Sequence, residues 1–274
     1  VNQPRLHVGC AQWTHKAWPV SGAEKLRSYA EWCNAVEGNT TFYATPSRET
    51  VAGWADQTPE DFRFVLKFPR KVTHEERLRT SGDEARRIFL EAIEPLGPRI
   101  HALWVQLPAS FGPSDLPTLD DFLRRQPTAY RYAVEVRHPA FADDPRPLHQ
   151  VLTAAGAELV PFDTSVMFAS PPTSDGERDA WSRKPRLPVR PHALTDFPVV
   201  RYLGRDDPTR TVEGWQRWLP VIARWLREGR SPTVFVHTPD NVEAPALARR
   251  LHAEVAALVP GLVPLPEPQP TTLF

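Results

Sequence analysis

Residues 132–138 read YAVEVRH. Apolar residues alternate with a glutamate, and Arg137 and His138 follow at once, as in a buried strand that ends in polar chemistry. Seven more runs have this form: LHVGCA before Gln12 and Trp13, NAVEGN with Glu37 and Asn39, FRFVLK ending in Lys67, LWVQL with Gln106, ELVPF before Asp163, PVVRYLG with Arg201, and TVFVH with His237, Asp240 and Asn241. Segments of helical period lie between them, such as Ile88, Phe89, Ala92, Ile93 and Leu96, which end at Gly97-Pro98. Repeated βα units predict a single-domain α/β fold, a (β/α)8 TIM-type barrel over residues 1–259. In such barrels the strand carboxyl ends share one mouth, and chemistry happens there. Residues 170–193 lack any period and read as a long, partly mobile loop on the mouth side, a possible lid; residues 260–274 read as a proline-rich C-terminal tail.

The 33 Lys+Arg balance the 33 Asp+Glu, so the net charge of zero argues against broad non-specific nucleic-acid binding while leaving a local basic cleft open. Cys10 and Cys33 make no disulfide framework, and no apolar run reaches the roughly 18 residues of a membrane span. The N-terminus lacks a signal-peptide pattern, so the expected compartment is the cytoplasm.

Glu37 and Glu135 are acids set in apolar strands, where a carboxylate is costly unless paired or working. Two readings stand. One is a structural ion pair with Lys67, Arg137 or Arg201; the other is an acid/base pair or a pair of metal ligands, decided by a separation that sequence does not give. Lys67 can anchor an anion, pair with Glu37, or form a Schiff base if desolvated. Arg137 and Arg201 offer bidentate forks to a carboxylate or phosphate, and beside Lys67 they point to an anionic ligand. His138 and His237 are the best-placed general bases, though either can simply serve a backbone carbonyl. Glu37, Glu135, His138, Asp163, His237 and Asp240 could together ligate a divalent metal, but HExxH, CxxC and HxH spacings are missing, and no resident cofactor is expected. Neither a glycine-rich phosphate loop nor a GxSxG elbow occurs. Trp13, Phe42, Tyr43, Phe111 and Phe141 follow strand ends and either wall a flat ligand or cap the core; Trp215, Trp218 and Trp225 stand at helical spacing, as outer-layer packing does.

The segments GCAQWTHKAW, YAEWCNAVEGNTTFYATPSRETVAGWADQTPEDFRF, LKFPRKVTHEERL, LWVQLPASFGP, AVEVRHPAF, VVRYLGR and FVHTPDNVEAPALARRLH together resemble the YecE-like family, a domain of unknown function. They span residues 8 to 252. The resemblance implies a TIM-type barrel and carries no established activity or cofactor. The family's mouth positions correspond here to Trp13, Glu37, Asn39, Thr41, Tyr43, Lys67, Thr73, His74, Gln106, Glu135, Arg137, Arg201 and Asn241. Many members carry an Asn-rich segment and a Gly-Tyr-Ala stretch after the eighth strand; this chain has HTPDNVEAPALA instead. The barrel is also similar to the xylose-isomerase and apurinic-site endonuclease type, an analogy of fold.

The preferred functional expectation is an enzyme, hydrolase or lyase, acting on a small anionic substrate. Glu37, Lys67, Glu135 and His138 carry the chemistry in that reading, and Trp13, Asn39, Thr41, Tyr43, His74, Gln106, Arg137, Asp163, Arg201, His237 and Asn241 bind the substrate. The alternatives are a barrel that binds nucleic acid or cleaves phosphodiesters, and a non-catalytic metabolite-binding protein. In every case Glu37, Lys67 and Glu135 are expected to lie buried in one network with Arg137 or Arg201, while Lys184 reads as a surface cation.

Overall fold

The computed structural model describes residues 3–18 and 24–268. Residues 1–2, 19–23 and 269–274 of the expected barrel and tail lie outside the described residues. In chain order the elements are β1 (His7–Gly9), α1 (Lys25–Trp32), β2 (Ala35–Gly38), α2 (Thr40–Tyr43), α3 (Arg48–Asp56), β3 (Arg63–Lys67), α4 (Asp83–Ile93), β4 (Ile100–Gln106), α5 (Leu116–Arg124), β5 (Tyr132–Glu135), α6 (Ala140–Asp143), α7 (Arg146–Ala155), β6 (Glu158–Leu159), β7 (Phe162–Asp163), α8 (Asp175–Arg183), β8 (Val199–Leu203), α9 (Pro208–Trp215), α10 (Trp218–Arg227), β9 (Thr233–His237) and α11 (Ala244–Ala256). It is a single α/β domain with all-parallel strand pairing. No described helix is long and apolar enough to cross a membrane.

Strand periodicity places the site. Successive side chains point to opposite faces. Ala35, Val65, Trp104, Ala133, Val199 and Phe235 pack together on one face. Their successors Val36, Leu66, Val105, Val134, Val200 and Val236 join the large cluster shared with the helices. The next residues, Glu37, Lys67, Gln106, Glu135, Arg201 and His237, return to the inner face, one layer beyond the small apolar cluster and at the carboxyl ends of their strands. The alternation that makes both faces apolar therefore stacks six polar side chains in a single layer.

The ladders form two parallel sheets, β1-β9-β8-β7 and β2-β3-β4-β5-β6, and stop short of one laddered ring. Between β1 and β2 the bonding is sparse: Glu37 N donates to Cys10 O at 3.0 Å, and the Tyr29 hydroxyl accepts from Cys10 N at 2.7 Å and donates to Ala35 O at 2.8 Å. Gly9 permits this approach, because a Cβ there would lie 2.0 Å from Ala35 O. The other break falls inside the expected sixth strand, which Pro161, lacking an N–H, divides into β6 and β7.

One further expectation is corrected. The segment 170–193 holds the nine-residue helix α8 in place of a structureless loop. Ser174 Oγ accepts from Glu177 N at 3.0 Å, so the helix opens with an N-cap of the S-x-x-E type that is already present in the sequence. The described part of the tail packs back on the domain: Leu265 is buried, and Arg249 donates to Pro266 O at 2.7 Å.

Candidate functional site

Glu37 is the centre of the inner polar layer and is fully buried. Lys67 Nζ lies 2.8 Å and Arg201 Nη2 2.9 Å from its Oε1, as ion contacts rather than aimed hydrogen bonds. Arg201 Nε donates to Oε2 at 3.2 Å, and His237 Nε2 meets the same oxygen at 2.7 Å. Lys67 also donates to Gln106 Oε1 at 2.9 Å and sits 4.7 Å from the Trp104 ring centre. Glu135, equally buried, receives Arg137 Nη2 at 2.8 Å and Nε at 2.9 Å on Oε1. Among the described residues its Oε2 has a single long contact, Arg201 Nη1 at 3.5 Å. Arg201 therefore joins the two carboxylates, and its guanidinium lies 4.3 Å from the Phe162 ring centre.

Burial alone would raise the Glu37 pKa, but Arg201, Lys67 and His237 overcome it and hold the group well below its ordinary value. Glu135 is likewise lowered, with Arg137, Arg201 and Lys67 outweighing burial. Neither carboxyl has a proton to give near neutral pH. Burial, then repulsion from Arg201, brings Lys67 down to about 8 against the pull of both glutamates. Burial takes His237 down to about 4 despite Glu37, so it is neutral and donates Nε2–H to that carboxylate. His74, lowered to about 4 by burial and then by Arg137 and Arg70, is neutral too.

Glu37, Lys67, Gln106, Glu135, Arg137, Arg201 and His237 are thus brought together, with His74 within the field of Arg137 and bonded at 2.9 Å to the Thr73 hydroxyl. Other expected site residues go elsewhere. Asp163 pairs with outward-facing Tyr202, and its Oδ2 takes Arg217 at 2.5 Å and Trp218 Nε1 at 2.8 Å. It anchors α10, because the strand alternation gives the inner position to Phe162. Thr41 Oγ1 lies 2.7 Å from Lys67 O, and Asn39 Nδ2 donates to Ala11 O at 2.9 Å, so both tie strand ends together. Asn241, at φ +55°, accepts from Thr238 N within the turn after β9, and Asp240 bonds Thr238 and Val242 there. His138 Nδ1 accepts from Ala140 N at 3.2 Å, and among the described residues no hydrogen bond joins it to Glu135. The Trp13 ring packs 5.2 Å from Trp54, and Tyr43 is 80% exposed. Phe42, Phe111 and Phe141 are buried and cap the core. Among the described residues no three His, Cys, Asp or Glu side chains group as metal ligands, and the Glu37–His237 contact is shared with Lys67 and Arg201.

Sequence reasoning missed Lys184. It stands just beyond α8, is half-buried, and lies within the field of Arg201, Arg137, Glu37 and Glu135. Burial first, then the two arginines, lower its pKa, and among the described residues no carboxylate forms an ion pair with it. Its position is held by Arg205, 1% exposed, which donates to Glu177 Oε2 at 2.5 Å, Ser170 O at 2.9 Å and Pro171 O at 2.8 Å. The capping pattern at Ser174 and Glu177 was the available signal for α8; Lys184 itself had none.

The family model described as "Protein of unknown function DUF72" matches residues 7–272. The UPF0759 protein YecE of Escherichia coli K12 is 39% identical over 273 residues, 98% of this chain and all of that protein, and its namesake in Escherichia coli O157:H7 matches to the same extent. A DUF72 family protein of Enterococcus faecalis V583 has a similar structure, with a TM-score of 0.67 at 19% identity over 91% of this chain and 98% of that one. A DUF72 family protein of Thermotoga maritima MSB8 gives a TM-score of 0.66 at 22% identity over the same shares. At these identities the structural likeness bears on the fold alone.

Proposed function

The chain belongs to the DUF72 family of proteins of unknown function, and from its mouth we propose an enzyme of the hydrolase or lyase class that acts on a small anionic substrate. One observation carries the reading. Three cations, Lys67, Arg137 and Arg201, converge on two carboxylates, Glu37 and Glu135, with Lys184 within their field, while His74 and His237 are neutral. A half-buried excess of positive charge is costly, and an anion entering the mouth relieves it. The cations lie close around two carboxylates, which suits one anionic group better than a run of phosphates along a strand.

In this reading Arg137, Arg201 and Lys184 hold the substrate anion. Glu37, with contacts on both oxygens, positions Lys67, Arg201 and His237. Lys67, whose pKa of about 8 lies nearest neutrality, holds the proton to give, and Glu135 Oε2, with its long 3.5 Å contact to Arg201, receives one. Proton donation thus moves from a glutamate to the lysine. We also propose that the two sheets close into one (β/α)8 barrel, supported by the bonds of Glu37 and Tyr29 across β1 and β2 and by the common inner layer.

Titration calorimetry with inorganic phosphate at low ionic strength tests the reading. Binding is expected at pH 7, weakened by more than about tenfold in Lys184→Met, since truncating one charge of a desolvated pair costs at least that much. It is also expected to fall as pH rises through about 8, where Lys67 loses its proton. Phosphate binding indifferent to Lys184 and to pH between 7 and 9, or no binding at all, overturns the proposal.

A further inference from the structure

Next to the charged layer lies a cavity of about 350 Å³, a size common for small-molecule sites. Phe141, Leu148, Leu159, Phe162 and Pro188 make most of its wall apolar, and His138 is among the polar residues that line it. Its roof comes from the residues that follow Lys184, several of which, Pro185, Leu187 and Val189 among them, line it. Thr164 Oγ1 fixes that roof by donating to Pro185 O at 2.8 Å.

Phe162 belongs to both places. Its ring lines the cavity and also carries the Arg201 guanidinium at 4.3 Å, with Arg137 at 6.0 Å. Lys184 begins the roof and also feels both glutamates. The cation excess and the apolar cavity are therefore adjacent, joined through one aromatic ring and one stretch of chain. A bare phosphate or a short dicarboxylate would use the first and leave the second empty.

Resting on the anion-site reading above, we infer that the substrate is amphipathic: an aryl or branched-alkyl group esterified to phosphate or carrying a carboxylate, with its anion on Arg137, Arg201 and Lys184 and its body in the cavity behind Phe162. The apolar body supplies affinity by leaving water, and the cations fix which end enters the mouth. His149 and His192 on the wall, whose pKa values burial lowers, accept polar substituents on the body without opposing it by charge.

The experiment compares phenyl phosphate with methyl phosphate, monoesters of equal charge, by titration calorimetry on the full chain. Phenyl phosphate is expected to bind at least about tenfold more tightly, in line with burial of a ring. Ala142→Trp, which fills the cavity from its wall, is expected to remove that advantage and leave methyl phosphate unchanged. Val189→Trp, on the roof, serves the same purpose should the first variant fail to fold. Equal affinity for the two esters in the wild type, with methyl phosphate still sensitive to Lys184→Met, overturns the inference and spares the anion site. A preference for phenyl phosphate that survives both plugs overturns the assignment of the cavity. Failure of both esters to bind overturns this inference and the reading beneath it together.

Discussion

Replacing Arg201 with methionine is expected to lower the stability of the fold by about 3–5 kcal/mol, the scale on which a buried charge left without its partner destabilises. Arg201 is 4% exposed and touches Glu37 through Nε and Nη2 and Glu135 through Nη1. Both carboxylates are fully buried, so water cannot take its place. Methionine keeps much of the packing against Phe162 and Trp104, which makes the lost charge the main change. Lys67→Met is expected to cost less. The folded pKa of Lys67, about 8, lies below its ordinary 10.5, so its ammonium is itself disfavoured at neutral pH, and Glu37 keeps Arg201 and His237 without it. Urea unfolding at pH 7 checks both, with Arg146→Met as the control, since that arginine is exposed and pairs with the exposed Asp144. Adding Glu37→Gln to Arg201→Met should restore part of the loss by removing one stranded charge. An Arg201→Met protein within about 1 kcal/mol of wild type, the scale of a surface pair, means that the network does not hold the two sheets as described.

The site was legible where strand periodicity governed it. Glu37, Lys67, Gln106, Glu135, Arg201 and His237 each occupy the same parity in their strands, and parity is what the sequence displays. Legibility failed where the chain left that period. Asp163 follows an apolar run and so reads as a mouth residue, yet Pro161 interrupts the strand and the register of β7 on β8 puts Phe162 inside and Asp163 outside. Thr41, Asn39 and Asn241 stand just past strand ends, where side chains satisfy loose backbone groups as readily as they meet a ligand. Lys184 was unreadable for a different reason. The helix it follows, α8, is anchored by a buried Arg205–Glu177 pair formed across 28 residues of sequence. Local pattern holds no record of that contact.

Acidification from pH 7.5 to 5 is expected to destabilise the protein steeply and well before its carboxylates titrate. Four buried histidines refuse protons in the fold. Burial, then Arg63, Arg5 and Arg131, brings His7 down to about 3, and burial, then His7 and Arg131, holds its ring neighbour His101 well below the ordinary 6.5. Burial also takes His237 and His252 to about 4 each. All four accept protons near 6.5 once the chain unfolds. Their folded pKa values are depressed, so stability is complete above about pH 7.5 and declines as pH falls below 6.5 toward the folded values. Each such proton contributes about 1.4 kcal/mol per pH unit, so the slope near pH 5.5 should be on the order of 5 kcal/mol per unit. Glu37 and Glu135 act in the same direction, but only below their ordinary 4.5, and Glu158 and Asp206, both raised mainly by burial, oppose. The onset therefore separates the causes: loss beginning near pH 6.5 belongs to the histidines, and loss beginning near 4.5 belongs to the carboxylates. Urea midpoints measured every half unit of pH give the onset directly. His252→Asn, which removes a histidine remote from the mouth on α11, should flatten the slope by about one proton's share without touching phosphate binding. Stability that stays flat down to pH 5 would mean that these rings accept protons in the folded state, through partners or water not evident from their surroundings.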